Sequence, residues 1–286
     1  MSNLLVIGCA SLDTIHIETK GSRKTYQTIG GAGLYTALAA RMSISVTLFA
    51  PKPNPMPKEL EAIEKLLDWQ GPTCDVNSLP RLEIVHHGNG RATLLNASWG
   101  AESQLSPEDL PALDGTDVVH IAALHSARAQ LTFMQKCREF PDTRVSVGTY
   151  ARLIAQEKPA VRYLCESSDY FFMNSNEANG LFDTNEIDLP RQRPTIFVTD
   201  GENGATVYDS GNIFEVPATR ITELDPTGAG DTFCGTTLAH ILHGMPVQEA
   251  AEIACDVASK NVEQVGPAFL ISAFTKQSKF RRFRDL

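Results

Sequence analysis

No G-x-x-x-x-G-K-[ST] stretch occurs anywhere in the sequence, which excludes a phosphate loop built around a lysine. The first apolar run continues as VIGCASLD (6–13) without G-x-G-x-x-G, so a Rossmann-type oxidoreductase has little support. No apolar run approaches the ~20 residues of a membrane span. The N-terminal run is too short for a secretion signal and lacks its basic flank. The six cysteines (Cys9, Cys74, Cys137, Cys165, Cys234 and Cys255) are scattered, with no C-x-x-C pair. Most sit in apolar-periodic segments, as reduced core thiols do, so the expectation is a cytoplasmic chain with neither a disulfide framework nor a zinc site. Cationic residues are also short: 25 Lys and Arg face 34 Asp and Glu, for a formal net charge of −9. A nucleic-acid binder would usually show a basic face. A soluble enzyme of small molecules, without nucleic-acid or membrane partners, is the plainer reading.

What is present is a chain of 286 residues, 42% of them apolar, enough for one large core. Residues 4–7 read as a buried strand. HIETKGSRKTYQTI reads as a hairpin around Lys20-Gly21, and GGAGLYTALAARM as glycines opening a helix. VTLFA (46–50) is a further strand, KELEAIEKLLDW an amphipathic helix, and RLEIVHHGNGRATLLNAS a second hairpin turning at 88–90. From Asp117 onward strands alternate with helices: VVHIAAL, RVSVG, DYFFMN and TIFVT are the strands, and Pro159 bends or breaks one helix. GATVYD and NIFEVP form a third hairpin, and two long helices start near 228 and 247. This order implies a mostly parallel sheet covered on both faces. The first two hairpins, about 12–29 and 82–98, stand outside it as a small β lid. The basic end KQSKFRRFRDL (276–286) reads as a solvated helix end or tail, with a membrane or polyanion patch as the lesser alternative.

The most informative stretch is ELDPTGAGDTFCGTTLAHIL (223–242). Pro226 pushes Asp225 into extended backbone. Gly228 and Gly230 permit positive φ and close approach of a ligand. The helix that follows offers free N–H groups and the positive end of its dipole to an anion. Asp231 sits in the first turn, where the dipole favours its ionised form and a low pKa. A weak base of that kind still suits phosphoryl transfer, which depends mainly on positioning and charge stabilisation. Taken alone, G-A-G-D is also compatible with a simple capped helix carrying an acidic first turn.

DPTGAGDTFCGTTLAHILHG (225–244) closely resembles the C-terminal signature of the ribokinase-like (PfkB) carbohydrate and nucleoside kinases. VIGCASLD, GGAGLYTALAA, NSNE (174–177) and VTDGENGATVY (198–208) resemble that family's other landmarks, in the same order along the whole chain. The resemblance implies a three-layer α/β/α sandwich with a β lid, and a kinase using ATP, Mg²⁺ and in some members K⁺. It makes Asp231 the base and Gly228, Ala229 and Gly230 the anion hole. Asn174 and Glu177 would organise Mg²⁺ and phosphates through water. Thr199, Asp200, Gly201, Gly204 and Thr227 fall at the nucleotide, and Asp13, Gly30, Gly31 and Tyr35 at the acceptor. Asp225 is placed at a monovalent cation. Asn174 and Thr199 also fall at strand carboxyl ends, where open α/β sheets bind ligands. NSNE doubles as a helix N-cap pattern.

Two departures lie on the acceptor side. Tyr35 stands where many sugar-phosphorylating members have Asn, and GTYARL (148–153) replaces an Asp-Pro-Asn-like stretch. Tyr35 stacks on a ring or packs beneath the lid; an aromatic there also resembles the inositol- and nucleoside-kinase branches. Arg152 reads as a surface arginine before an acceptor contact. His86, His87 and Arg91 read as lid surface first and substrate contacts second. His120 and His125 read as structural histidines first. A catalytically silent nucleotide- or sugar-binding protein of the same fold is the alternative to the kinase. The lid's exposed strand edges point to a homodimer paired through them.

Overall fold

A computed structural model describes residues 3–19, 21–88, 92–183 and 194–274. The chain runs β1 (Asn3–Ile7), β2 (Ser11–Thr19), β3 (Ser22–Gly30), α1 (Ala32–Arg41), β4 (Ser45–Phe49), β5 (Lys52–Pro53), α2 (Glu61–Leu66), β6 (Asp68–Gln70), β7 (Thr73–Cys74), β8 (Arg81–His86) and β9 (Ala92–Ser98). It continues β10 (Val118–Ile121), α3 (Ala127–Cys137), β11 (Arg144–Gly148), α4 (Ala151–Ser167), β12 (Tyr170–Asn174), α5 (Ser175–Phe182), β13 (Thr195–Thr199), β14 (Ala205–Asp209), β15 (Asn212–Val216), α6 (Ala229–Leu242) and α7 (Val247–Asn261).

Leu4, Leu5, Val6 and Ile7 are all buried because β1 lies inside a sheet covered on both faces, so no residue of the run can face water. Nine strands form that sheet in the order β15-β14-β13-β12-β11-β10-β1-β4-β6. Every pair from β13 to β6 is parallel, and β14 and β15 add an antiparallel edge. Alternate residues feed two cores. Leu4, Val6, Phe172 and Phe197 pack with α1, α6 and α7 on one face. Leu5, Ile7, Phe171 and Ile196 pack with α3, α4 and α5 on the other. The three-layer sandwich follows from that alternation.

The two early hairpins join into one separate sheet, β3-β2-β8-β9, through parallel pairing of β2 with β8. The turn residues Lys20 and 89–91, with Arg91 among them, and the basic end 276–286 lie outside the described residues. Among the described residues no helix is long and apolar enough to cross a membrane. All six cysteines are free thiols.

Two expectations change in detail. The helix expected over KELEAIEKLLDW stops at Leu66, because Asp68 and Trp69 extend the sheet as β6 and the Trp69 indole donates to Ala50 O at 3.2 Å. The break in α4 falls at Glu157 (φ −135°, ψ 36°), two residues before Pro159. The proline has no N–H and its ring crowds the preceding turn. The Glu157 carboxylate there accepts the first N–H groups of α3, from Ala127 (3.1 Å) and Arg128 (3.2 Å).

Helices α1 and α6 touch backbone to backbone. A Cβ at Gly235 would stand 2.1 Å from the carbonyl oxygen of Thr36. Alanine is preferred over glycine inside a helix by about 1 kcal/mol, but overpacking of this kind costs about 1–3 kcal/mol. Gly235→Ala is therefore expected to lower the urea denaturation midpoint; an unchanged or raised midpoint would contradict the close approach.

Candidate active site

Strands β12 and β13 end in register at Asn174 and Thr199. A cleft of about 540 Å³ opens beside them, a volume suited to a small molecule. Three features shape it: the start of α6, the inner face of the small sheet and the turn after β11.

Gly228 is the N-cap of α6 and has a left-handed φ of 73°. A Cβ there would also stand 2.4 Å from the Tyr35 ring, so glycine is required by the backbone and by the aromatic ring against it. No side chain caps the helix. The Ala229 N–H donates to Pro226 O at 3.1 Å, and the helical ladder begins with Thr232 N–H to Gly228 O at 2.8 Å. Among the described residues, the N–H groups of Gly228, Gly230 and Asp231 have no acceptor. Ala229 is thus a correction to the expected anion hole, since its N–H is engaged in the turn before the helix. Free donors and a helix dipole in this arrangement can hold an anion. A Cβ at Gly230 would meet nothing within 4 Å, so a ligand can approach there.

Asp231 stands in the first turn, partly open to the cleft. Burial raises its carboxyl to about 6. The low pKa expected from the dipole is overturned, because the surrounding protein removes more hydration than the helix start replaces.

Asp225 lies behind this loop and is fully buried. Its Oδ1 accepts from Thr227 N (3.0 Å) and lies 3.2 Å from His86 Nε2; its Oδ2 accepts from Gly266 N (2.8 Å). Burial alone would raise the carboxyl, but these hydrogen bonds from His86, Gly266 and Thr227 hold it below the usual carboxylate value. Both carboxylate oxygens of Asp225, expected at a monovalent cation, are thus engaged by N–H groups, with the Thr227 hydroxyl also beside them. His86 is a correction: it is 5% exposed and reaches Thr227 Oγ1 at 2.9 Å, so it is no surface residue. Strand parity carried the signal. Leu82, Ile84 and His86 share one face of β8, while His87, on the other parity, pairs with Glu18.

Asp13 is 1% exposed on β2. Its Oδ1 accepts the Leu82 N–H at 3.1 Å, and its Oδ2 has no partner. Burial raises the carboxyl to about 7. A Cβ at Gly30 would fall 2.1 Å from Oδ2. Gly30 therefore makes room for this carboxylate and does not line the cleft, whereas Gly31 and Tyr35 do. Tyr35 is 1% exposed and its hydroxyl is unpartnered. Burial, with Asp225, Asp13 and Asp231 nearby, pushes that hydroxyl well above its usual pKa.

On the far side, Asn174 is the N-cap of α5 and forms a reciprocal capping box with Glu177. Asn174 N and Nδ2 both donate to the Glu177 carboxylate at 2.8 Å. Burial nevertheless raises Glu177 to about 7. Both residues line the cleft, as do Thr199 and Thr227. Asp200, Gly201 and Gly204 do not. They build the turn to β14, where Asp200 accepts from Ser175 and Asn203. Gly204 (φ 95°) lies so close to Val216 O that a Cβ would stand 2.0 Å from it. Their glycines answer to backbone geometry.

The remaining wall went unnoticed in the sequence. Trp99 and Tyr150 pack with ring centroids 5.9 Å apart, and Leu82, Ile84 and Leu94 come down from the small sheet. The hydroxyls of Thr149 and Tyr150 are buried without partners. Nothing in the sequence joins Trp99 to Tyr150; the sheet does. His120 lies in the cleft floor, bonded to Ser146 at 2.8 Å, and burial lowers its pKa to about 3. His125 lies outside the cleft lining and pairs with Glu102, whose hydrogen bond raises its pKa. Arg152 is exposed and bonds Gln156 one helical turn on.

The family model for pfkB family carbohydrate kinases matches residues 74–273. The chain is 27% identical to the cytidine kinase of Thermococcus kodakarensis over 281 residues, 93% of this chain and 98% of that one. It is 22% identical to Bacillus subtilis ribokinase over 283 residues, 93% and 94% of the two chains. Among solved structures, the nucleoside kinase of Methanocaldococcus jannaschii superposes with a TM-score of 0.75 at 20% identity, covering 96% of this chain and 99% of that one.

The buried Asp13 carboxyl has a stability cost with a definite sign. Its folded pKa is about 7, against about 3.9 for an unfolded aspartate. Stability from the protonated acid is complete below pH about 4 and is lost as pH rises through about 7. Asp13→Asn is therefore expected to be more stable than the native chain at pH 8, by roughly 2–4 kcal/mol. The gain should vanish towards pH 4 in denaturant titrations; a destabilised variant at pH 8 would contradict the assignment.

Proposed function

The chain belongs to the pfkB family of carbohydrate kinases, a phosphotransferase with an alcohol acceptor, and from that premise we propose that it moves the γ-phosphoryl group of ATP to a hydroxyl of a nucleoside. The observation that carries this reading is the uncapped start of α6, with its free N–H groups beside Asp231 in the cleft. Those donors take the charge of the transferring phosphoryl group without reorganising. Asp231 accepts the acceptor's proton. A carboxyl near 6 is ionised at neutral pH and a better base than an ordinary aspartate.

The acceptor side favours a nucleoside over a bare sugar. Trp99, Tyr150 and the aliphatic residues of the small sheet offer a flat ring an apolar wall that a sugar or inositol would leave wet. Asp13, with Oδ2 free, is placed to accept a hydroxyl of the ribose. The names of the cytidine and nucleoside kinase relatives agree with this choice.

Thr199, Asn174 and Thr227 receive the nucleotide. Both Glu177 oxygens are near Asn174 donors, which suits contact with Mg²⁺ through water, the way that ion usually binds. When bound with the phosphates, Mg²⁺ offsets their charge. The small sheet serves as the lid that excludes water from the transfer. Its outer strand β9 exposes Leu94 and Leu95 along an edge, where a second copy pairs; a monomeric mass in solution would remove that pairing.

An ADP-release screen over nucleosides, inositols and sugars should find turnover with nucleosides. Asp231→Asn should lower kcat by roughly 10²- to 10⁴-fold while ATP still binds. The kcat/KM of the native enzyme should fall as pH drops below about 6, when Asp231 takes up its proton. Clear ATP binding without transfer to any acceptor would favour the catalytically silent alternative.

A further inference from the structure

The surroundings of Asp225 raise the question of what holds the transfer loop if no monovalent cation does. Asp225 and His86 are both buried, and the His86 Nε2 sits between Asp225 Oδ1 (3.2 Å) and Thr227 Oγ1 (2.9 Å). Oδ1 also accepts the Thr227 N–H, and Oδ2 the Gly266 N–H. A cation at this carboxylate would need further oxygens around it. It meets the N–H groups of Thr227 and Gly266 and the His86 ring, whose positive ends repel it, and the one oxygen among these groups is the Thr227 hydroxyl. The His86 Nδ1 has no partner, so Nε2 makes the contacts.

We infer that His86 takes the place of a monovalent cation at Asp225 and acts as a positioning residue for phosphoryl transfer, leaving turnover independent of K⁺. The inference rests on the kinase reading above. Residues 225–228 lead directly into the free N–H groups of α6. From one side the loop is tied to the end of α7, because the N–H groups of Leu224 (2.8 Å) and Asp225 (3.0 Å) both donate to Val262 O. His86 braces it from the other side, from strand β8. Gly266, which completes the clasp, packs so closely on β3 that a Cβ would stand 2.1 Å from Thr28 Oγ1. Two segments distant in sequence, β8 and the 262–266 stretch after α7, therefore fix Asp225 and Thr227, and through them the donors that must match the phosphoryl oxygens closely.

Assays in KCl, NaCl and tetramethylammonium chloride at equal ionic strength test the replacement. Initial rates should agree within about twofold; activation by K⁺ of roughly tenfold or more would overturn it. His86→Leu should lower kcat at least about tenfold, with KM values for ATP and acceptor moving less than about threefold. His86→Gln, which keeps a nitrogen near the Nε2 position, should recover most of that kcat. Equal losses in the two variants, or a loss confined to KM, would overturn the positioning role. The melting temperature of the substrate-free native chain should be the same in K⁺ and tetramethylammonium, whereas a rise specific to K⁺ would reveal a cation site. That comparison needs no turnover. If no acceptor is phosphorylated, the kinase reading fails and the cation question is still decided.

Discussion

The unsatisfied N–H groups at the start of α6 are the constraint around which the site is arranged. A helix start in a protein interior normally finds acceptors for its first donors. At this cleft α5 does so, closed by the Asn174–Glu177 capping box; α1, like α6, has no capping side chain and gives one early N–H, that of Leu34, to Cys9 O at 3.0 Å. At α6 there is no capping side chain, and under the proposed function what would be a defect in a structural helix receives anionic oxygens. Its neighbours hold that state open. Gly228 adopts the left-handed angle, the Tyr35 ring fills the space against it, and Asp225 fixes the approach of the chain.

The same arrangement gathers carboxyl groups. Asp13, Glu177 and Asp231 all have raised pKa values, with burial the leading cause in each. Asp225 moves the other way because hydrogen bonds surround it. Two acids with similar burial thus behave differently according to donors: Asp225 accepts the N–H groups of Thr227 and Gly266 and lies 3.2 Å from His86 Nε2, while Asp13 keeps one oxygen bare beside Gly30. A bare buried oxygen destabilises the resting fold, and under the proposed function it is the place for an acceptor hydroxyl. This is the exchange of stability for activity expected at a functional site.

Much of this was legible in the sequence. The parallel strands show as unbroken apolar runs because both faces of the sheet are covered, and the 225–231 stretch shows because glycines and an acid at a helix start have a physical meaning. What stayed hidden depends on pairing between distant segments. The parallel match of β2 with β8 makes one sheet from two hairpins, and only that match brings His86 to Asp225. Trp99 meets Tyr150 in the same way. Local patterns also overstate: Asp68 and Trp69 continue a helical pattern, yet Trp69 pairs with Leu48 at the sheet edge. The pKa of Asp231 was misjudged because a dipole is visible in sequence and burial is not.

The central claim is that the start of α6 receives the phosphoryl group with Asp231 beside the acceptor. A crystal structure with ADP, aluminium fluoride and the accepted nucleoside tests it most directly. The account expects the fluoride ligands to accept hydrogen bonds from the N–H groups of Gly230 and Asp231, with the Asp231 carboxylate about 3 Å from the acceptor hydroxyl. Fluoride bound at the start of α1, or an acceptor hydroxyl remote from Asp231, would contradict it.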